Sequence, residues 1–209
     1  MKTVLVVAVT ALVAAVGGVA WAATLTLSSK HLGGAAVTSP VMYPDSVTIA
    51  NKSGGTAGKP ENGDIVTLVW SQPIDETTLC SGWSNSSSTQ SVSLQWSIIA
   101  GTSPTDDKLQ PTGTSPTCSG GFNVGSIDLG SAGYDTSATN IDFQTTTNAL
   151  TVGATTTTLK VTLGGIKNGT AGTVPSGNAA VWTPSAILKD RSGNTCGSNL
   201  AKSSATKQF

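Results

Sequence analysis

The chain has 209 residues, of which 11% are charged, and its 11 basic and 11 acidic side chains balance to a formal net charge of zero. Binding to phosphate backbones needs clustered Lys and Arg, so this composition excludes nucleic acid as an expected partner. Glu stands only at positions 61 and 76 and Arg only at 191, against abundant Thr, Ser, Gly and Asn, which excludes long exposed helices and favours strands and turns.

In chain order, Lys2 precedes an apolar run over residues 4 to 19, broken by Thr10 and the Gly17 and Gly18 pair, and Ala20, Trp21 and Ala22 form an A-x-A processing site. This is the pattern of an export signal peptide, expected as a helix over residues 1 to 22 and removed to leave Ala23 as the mature N-terminus. An uncleaved anchor is the alternative, because the run approaches the ~17 residues of a short spanning helix. No second apolar segment of spanning length follows, and residues 200 to 209 carry neither a hydrophobic tail nor an LPxTG-like sorting sequence. A secreted or cell-surface location is therefore expected, with no membrane attachment after cleavage. Loss of Lys2 takes the formal charge to −1, and residues 23 to 209 suffice to bury a core.

Residues 24 to 28 read as a short alternating strand, residues 31 to 44 as a Gly- and Pro-punctuated connection, and residues 47 to 50 as a second strand. Residues 51 to 63, rich in Gly, Lys and Asn and holding Pro60, read as an exposed loop and the expected internal boundary. Val66, Leu68 and Trp70 then fall on one face of a period-2 strand that Pro73 ends. The clearest alternation follows, with Val92, Leu94, Trp96 and Ile98 on one face and Ser91, Ser93, Gln95 and Ser97 on the other. Residues 102 to 121 read as a polar loop with three prolines. Phe122, Val124, Ile127 and Leu129 suggest a buried strand with an irregularity at Gly125, and Ile141 with Phe143 marks a short one. Leu159, Val161 and Leu163 alternate in the next, and Trp182, Ala186 and Leu188 share a side of the last. About eight strands in an all-β chain indicate a β-sandwich. The expected organisation is a signal peptide at 1–22, N-terminal strands and linker at 23–59, a sandwich domain at 60–200 and a polar tail at 201–209.

Two segments carry a resemblance to a known family. G-D-I-V-T-L-V-W-S-Q-P-I-D at residues 63 to 75 resembles the "GD-x-V-x-F-x-F-S-E-P-V-D" strand of bacterial Ig-like domains of surface-layer proteins and adhesins. A-I-L-K-D-R-S-G-N at residues 186 to 194 resembles their closing "L-x-D-x-A-G-N". L-C-S-G-W at residues 79 to 83 and G-S-I-D-L-G at residues 125 to 130 are similar to motifs of uncharacterised secreted actinobacterial proteins. The resemblance spans roughly residues 60 to 196 and implies an immunoglobulin-like β-sandwich. The chain departs from the pattern at Gln72, where the family has an acid, and at Ser192, where it has Ala.

Cys80, Cys118 and Cys196 are three thiols in a chain with an export signal, so one disulfide is expected. Cys80 with Cys118 closes the shortest interval, and Cys80 with Cys196 is the alternative. Catalysis of the Ser-His-Asp type has His31 as its one histidine and no G-x-S-x-G elbow. Glu61, Asp75, Glu76, Asp106 and Asp107 are available to a carboxylate-paired hydrolase, but acids in loops more often cap backbone. Trp70, Trp96 and Trp182 share the phase of their aliphatic neighbours and are expected in the core, which leaves Trp83 as the candidate exposed ring for a sugar. For calcium, Asp106 with Asp107 and Asp190 with Asn194 are the candidate ligands, set against an Asx-turn at each place. No cofactor is required. The expected role is an exported structural or adhesive module without catalysis, its partners cell-surface or matrix components, polysaccharide or further copies of itself. The alternatives are a carbohydrate-binding module and a secreted glycoside hydrolase.

Overall fold

A computed structural model describes residues 41–101, 106–137, 139–204 and 208–209. The signal segment, the strand expected at 24–28 and His31 lie outside the described residues. Within them the chain forms ten strands and one short helix: Pro44–Ala50 (β1), Ile65–Trp70 (β2), Glu76–Leu79 (α1), Thr89–Ile99 (β3), Lys108–Pro111 (β4), Ser126–Asp128 (β5), Ile141–Val152 (β6), Thr157–Thr162 (β7), Ile166–Asn168 (β8), Val181–Thr183 (β9) and Ala201–Lys202 (β10). Every pairing is antiparallel, in the order β1-β2-β7-β6-β3-β4-β5-β9-β10, with β8 on β6.

Two long strands serve both halves of this sheet. Residues 89 to 94 of β3 pair with residues 146 to 151 of β6, whereas Trp96, Ser97 and Ile98 pair with Phe143, Asp142 and Ile141. A register shift separates the two stretches, and beside it Thr145 of β6 takes a φ of 50°. Such irregularities bend strands and let them pass from one layer to another. β1, β2 and β7 lie on one side of the bend, and β4, β5, β8, β9 and β10 on the other. The Gln144 carbonyl approaches Gly164 so closely there that a Cβ would stand 1.6 Å from it, which reserves the position for glycine. Thr146 secures the corner by accepting the Gly164 N–H at 3.1 Å.

The layers close over a core that includes Met42, Trp70, Trp96, Tyr134, Phe143 and Trp182, all with no exposed surface. This is the all-β sandwich that the strand patterns imply, with ten strands rather than about eight. Two of the additional strands were hidden by composition. β4 sits within the stretch read as a polar loop, with Leu109 as its one buried side chain, and β8 is exposed at all three residues.

The described residues from Val41 to Phe209 lie in one compact unit, so the boundary expected at 59/60 is not found, and of the tail expected at 201–209 the described residues pack into the same unit. β1 pairs with β2 from end to end, and Gly58 donates its N–H to the Phe209 carbonyl at 2.8 Å. β10 pairs with β9, and Phe209 is buried edge-on against Tyr134 at 5.6 Å. Burial of the Phe209 ring supplies apolar area that holds this segment to the core.

Candidate functional site

The two segments that carry the family resemblance meet in space. Ile74 bridges Asp190, the Asp75 N–H donates to the Lys189 carbonyl at 2.7 Å, and the Lys189 N–H donates to Thr78 Oγ1 at 3.1 Å. Asp75 caps α1 through its Oδ1, which accepts the Thr77 N–H at 3.1 Å and the Asn85 amide at 2.9 Å. Burial opposes ionisation of Asp75, but the donors on Thr77 and Asn85 outweigh it and hold its pKa below the usual value. Glu76 is fully buried, and the Arg191 guanidinium reaches it from the facing segment with Nη2 on Oε1 and Nε on Oε2. A forked guanidinium contact of this kind fixes geometry as well as charge.

Next to this seam lies the disulfide. Cys80 and Cys118 are bonded, with Cα atoms 4.7 Å apart, and both are buried. Cys80 also bridges Phe122, whose ring receives Trp83 edge-on at 5.6 Å. Trp83 is only 5% exposed, so its expected role as an exposed sugar platform is corrected. A turn flanked by a disulfide and Phe122 offers an apolar wall, and the indole packs on it instead of facing water. Cys196 is the free thiol, half-buried, and burial pushes its pKa up to about 11.

The proposed calcium ligands separate into two unrelated places. Asp107 is fully buried and accepts N–H groups from Gly101 at 2.8 Å, Tyr134 at 2.9 Å and Asp135 at 2.8 Å. Asp190 accepts from the backbone of Ser192 at 2.8 Å and Asn194 at 2.9 Å and from the Asn194 side chain at 2.8 Å. Asp190 is an Asx-type cap of its own turn, whereas Asp107 accepts from backbone 27 and 28 positions on and ties that segment to its own, so the expected Asx-turn is found at Asp190 and not at Asp107; in both, the lone pairs are directed at amides. Asp106 does neither: its pKa is raised, by partial burial first and then by the neighbouring Asp128 and Asp107. Among the described residues no three His, Cys, Asp or Glu side chains are grouped to hold a metal ion.

Of the acids available to a hydrolase, Glu61 accepts the Thr56 N–H at 2.8 Å, and Asp75 and Glu76 belong to the seam. Two open depressions, one lined by Tyr43, Ser71, Gln72, Pro73, Ala154 and Thr155 and the other by Thr89, Gln90, Ser91, Ala149, Leu150 and Thr151, contain no carboxylate. Sequence reasoning missed Asp64 and the Glu76–Arg191 pair. Asp64 is the acid of the G-D dipeptide at residues 63 and 64, and its two oxygens accept the Lys52 and Glu61 N–H groups at 2.9 and 2.6 Å. Burial raises its pKa although those donors oppose the rise. The G-D pair standing before a strand was the available signal.

No family model, curated protein or solved structure matches this chain.

Proposed function

We propose that the chain is an exported extracellular or cell-surface module of structural or adhesive role, built as an immunoglobulin-like sandwich and without a catalytic centre. The observation that supports this reading best is where four of the five buried acids among the described residues point; the fifth, Asp135, accepts the Ser137 N–H and hydroxyl through Oδ1, while its Oδ2 is buried without a partner. Asp64, Asp107 and Asp190 each bind amides of the fold itself, and Glu76 is held by Arg191. A catalytic carboxylate needs an open lone pair facing a cleft, whereas these groups fasten loops to the sandwich. The Cys80–Cys118 bond suits an oxidising compartment.

Expression in a secreting bacterium, followed by fractionation and N-terminal sequencing, tests the proposal. The expected result is protein outside the cytoplasm that begins Ala-Thr-Leu-Thr and sediments with isolated cell wall or matrix. Protein confined to the cytosol with Met1 in place would overturn it.

A further inference from the structure

Among the described residues β3 has an unguarded edge. β4 covers it only from Trp96 to Ile99, so residues 89 to 94 pair with one described strand alone, β6. The bond from the Val152 N–H to the Ser88 carbonyl, 2.8 Å, sets the phase of that ladder. In an antiparallel pair residues alternate between bonding the partner and facing away, so Gln90, Val92 and Leu94 bond β6 while Thr89, Ser91 and Ser93 face outward. Gln95 keeps the same phase, and its carbonyl accepts the Thr112 and Gly113 N–H groups on the outer side. The Ser87 hydroxyl occupies Thr89. Ser91 and Ser93 are left with outward backbone groups and exposed side chains.

Other open edges among the described strands carry the groups that discourage pairing. β1 has Pro44 and Asp45, β8 has Lys167, and β10 has Lys202. Residues 89 to 94 read T-Q-S-V-S-L, with neither a charge nor a proline, and their β6 partners Thr147, Ala149 and Thr151 on the same face are also uncharged.

We propose that this edge binds a second copy of the chain, the two β3 strands pairing antiparallel about Val92. Ser91 of each copy then stands opposite Ser93 of the other, and the two pairs exchange four N–H···O=C bonds. A two-fold contact sets an edge against itself, so a charged edge would repel its own copy, whereas this one meets only hydroxyls and backbone. The pairing names the partner for the structural role proposed above and rests on that reading.

The test uses the exported chain in sedimentation velocity over a concentration range reaching about 1 mM. The wild type should form a concentration-dependent dimer. S91K/S93K and S91E/S93E should each weaken it by at least about tenfold, because like charges come face to face, and an equimolar mixture of the two should restore a dimer. In parallel, the Ser91 and Ser93 amides of the wild type should exchange hydrogen more slowly as concentration rises, a readout that needs no variant to fold. A wild type monomeric throughout, variants that associate as the wild type does, a mixture that stays monomeric, or amide exchange independent of concentration overturns the pairing. A monomer found on the cell surface ends the pairing alone, whereas a dimer confined to the cytosol ends the structural role.

Discussion

Trp70 of β2 and Trp182 of β9 meet edge to face with ring centroids 4.8 Å apart and planes at 80°. The two rings come from opposite sides of the bend in β3 and β6, and neither has exposed surface. The Trp182 indole N–H also donates to the Val124 carbonyl at 3.0 Å, which ties the chain before β5 to the same contact. Trp182→Ala should therefore destabilise the protein by about 3 to 5 kcal/mol, as loss of a large buried ring does. Ile187→Ala, at a side chain 56% exposed, should stay within about 0.5 kcal/mol. Urea titration of both variants decides, and a cost at Trp182 no larger than at Ile187 would show that the layers are not joined there.

Iodide quenching probes the corrected tryptophan. In the exported chain Trp70, Trp83, Trp96 and Trp182 should all be shielded in the native state and become quenchable together on unfolding, since the most exposed of them, Trp83, shows 5% of its surface. A fraction of native emission quenched as readily as free tryptophan would place Trp83 outside the core.

The strands that follow strict alternation were legible because their inner faces are purely apolar: Val66, Leu68 and Trp70 in β2, and Val92, Leu94, Trp96 and Ile98 in β3 are all buried as the pattern implies. β6 was legible only at Ile141 and Phe143. Its middle puts Thr146 and Asn148 inward, and these are stable there because Asn148 accepts the Trp96 indole N–H at 2.9 Å and donates to the carbonyls of Val92 and Thr146. No periodicity in hydropathy reveals an inward Asn whose partner is a distant indole. The sequence phase puts Ala186 inward, but it is exposed, because β9 ends at Thr183 before Pro184 and the phase is lost. Trp83 was unreadable for a related reason, as its wall is built by Phe122 across the disulfide. Among the site residues, the turn at Asp190 was anticipated, while the pairing of Glu76 with Arg191, 115 positions apart, needed the tertiary structure.

That pairing gives a further expectation. Arg191→Ala leaves the Glu76 carboxylate buried without its guanidinium and should cost about 2 kcal/mol or more in thermal or urea unfolding. Arg191→Lys keeps the charge but not the fork, and should fall between wild type and Ala. Equal stability of all three proteins would mean that the contact contributes nothing to the fold.

Two aspartates should move stability with pH in opposite directions. The Asp75 pKa is lowered on folding, so its contribution is present above the unfolded value of about 3.9 and is lost as pH falls through the folded value. Asp75→Asn should therefore be most costly near neutral pH, with the gap to wild type closing in acid. Asp64 is raised by burial, so its linkage contribution is full below about 3.9 and is lost as pH rises through the folded value. Wild type should accordingly gain on Asp64→Asn as pH falls. Unfolding free energies measured from pH 7 down to about 3 check both signs, and differences that do not vary with pH would contradict them.

The measurement closest to the central claim is peptide mapping, without reductant, of protein recovered from outside the cell. Closing a 38-residue interval should contribute about 4 kcal/mol in the chain-entropy account, so the Cys80–Cys118 bond is a large part of what keeps such a sandwich folded. The predicted map has Ala23 as the first residue, Cys80 joined to Cys118, and Cys196 alkylated slowly near neutral pH, because its pKa near 11 leaves little thiolate. Cys80 joined to Cys196, or three readily alkylated thiols in a chain that still begins at Met1, would contradict the fold in the first case and export in the second.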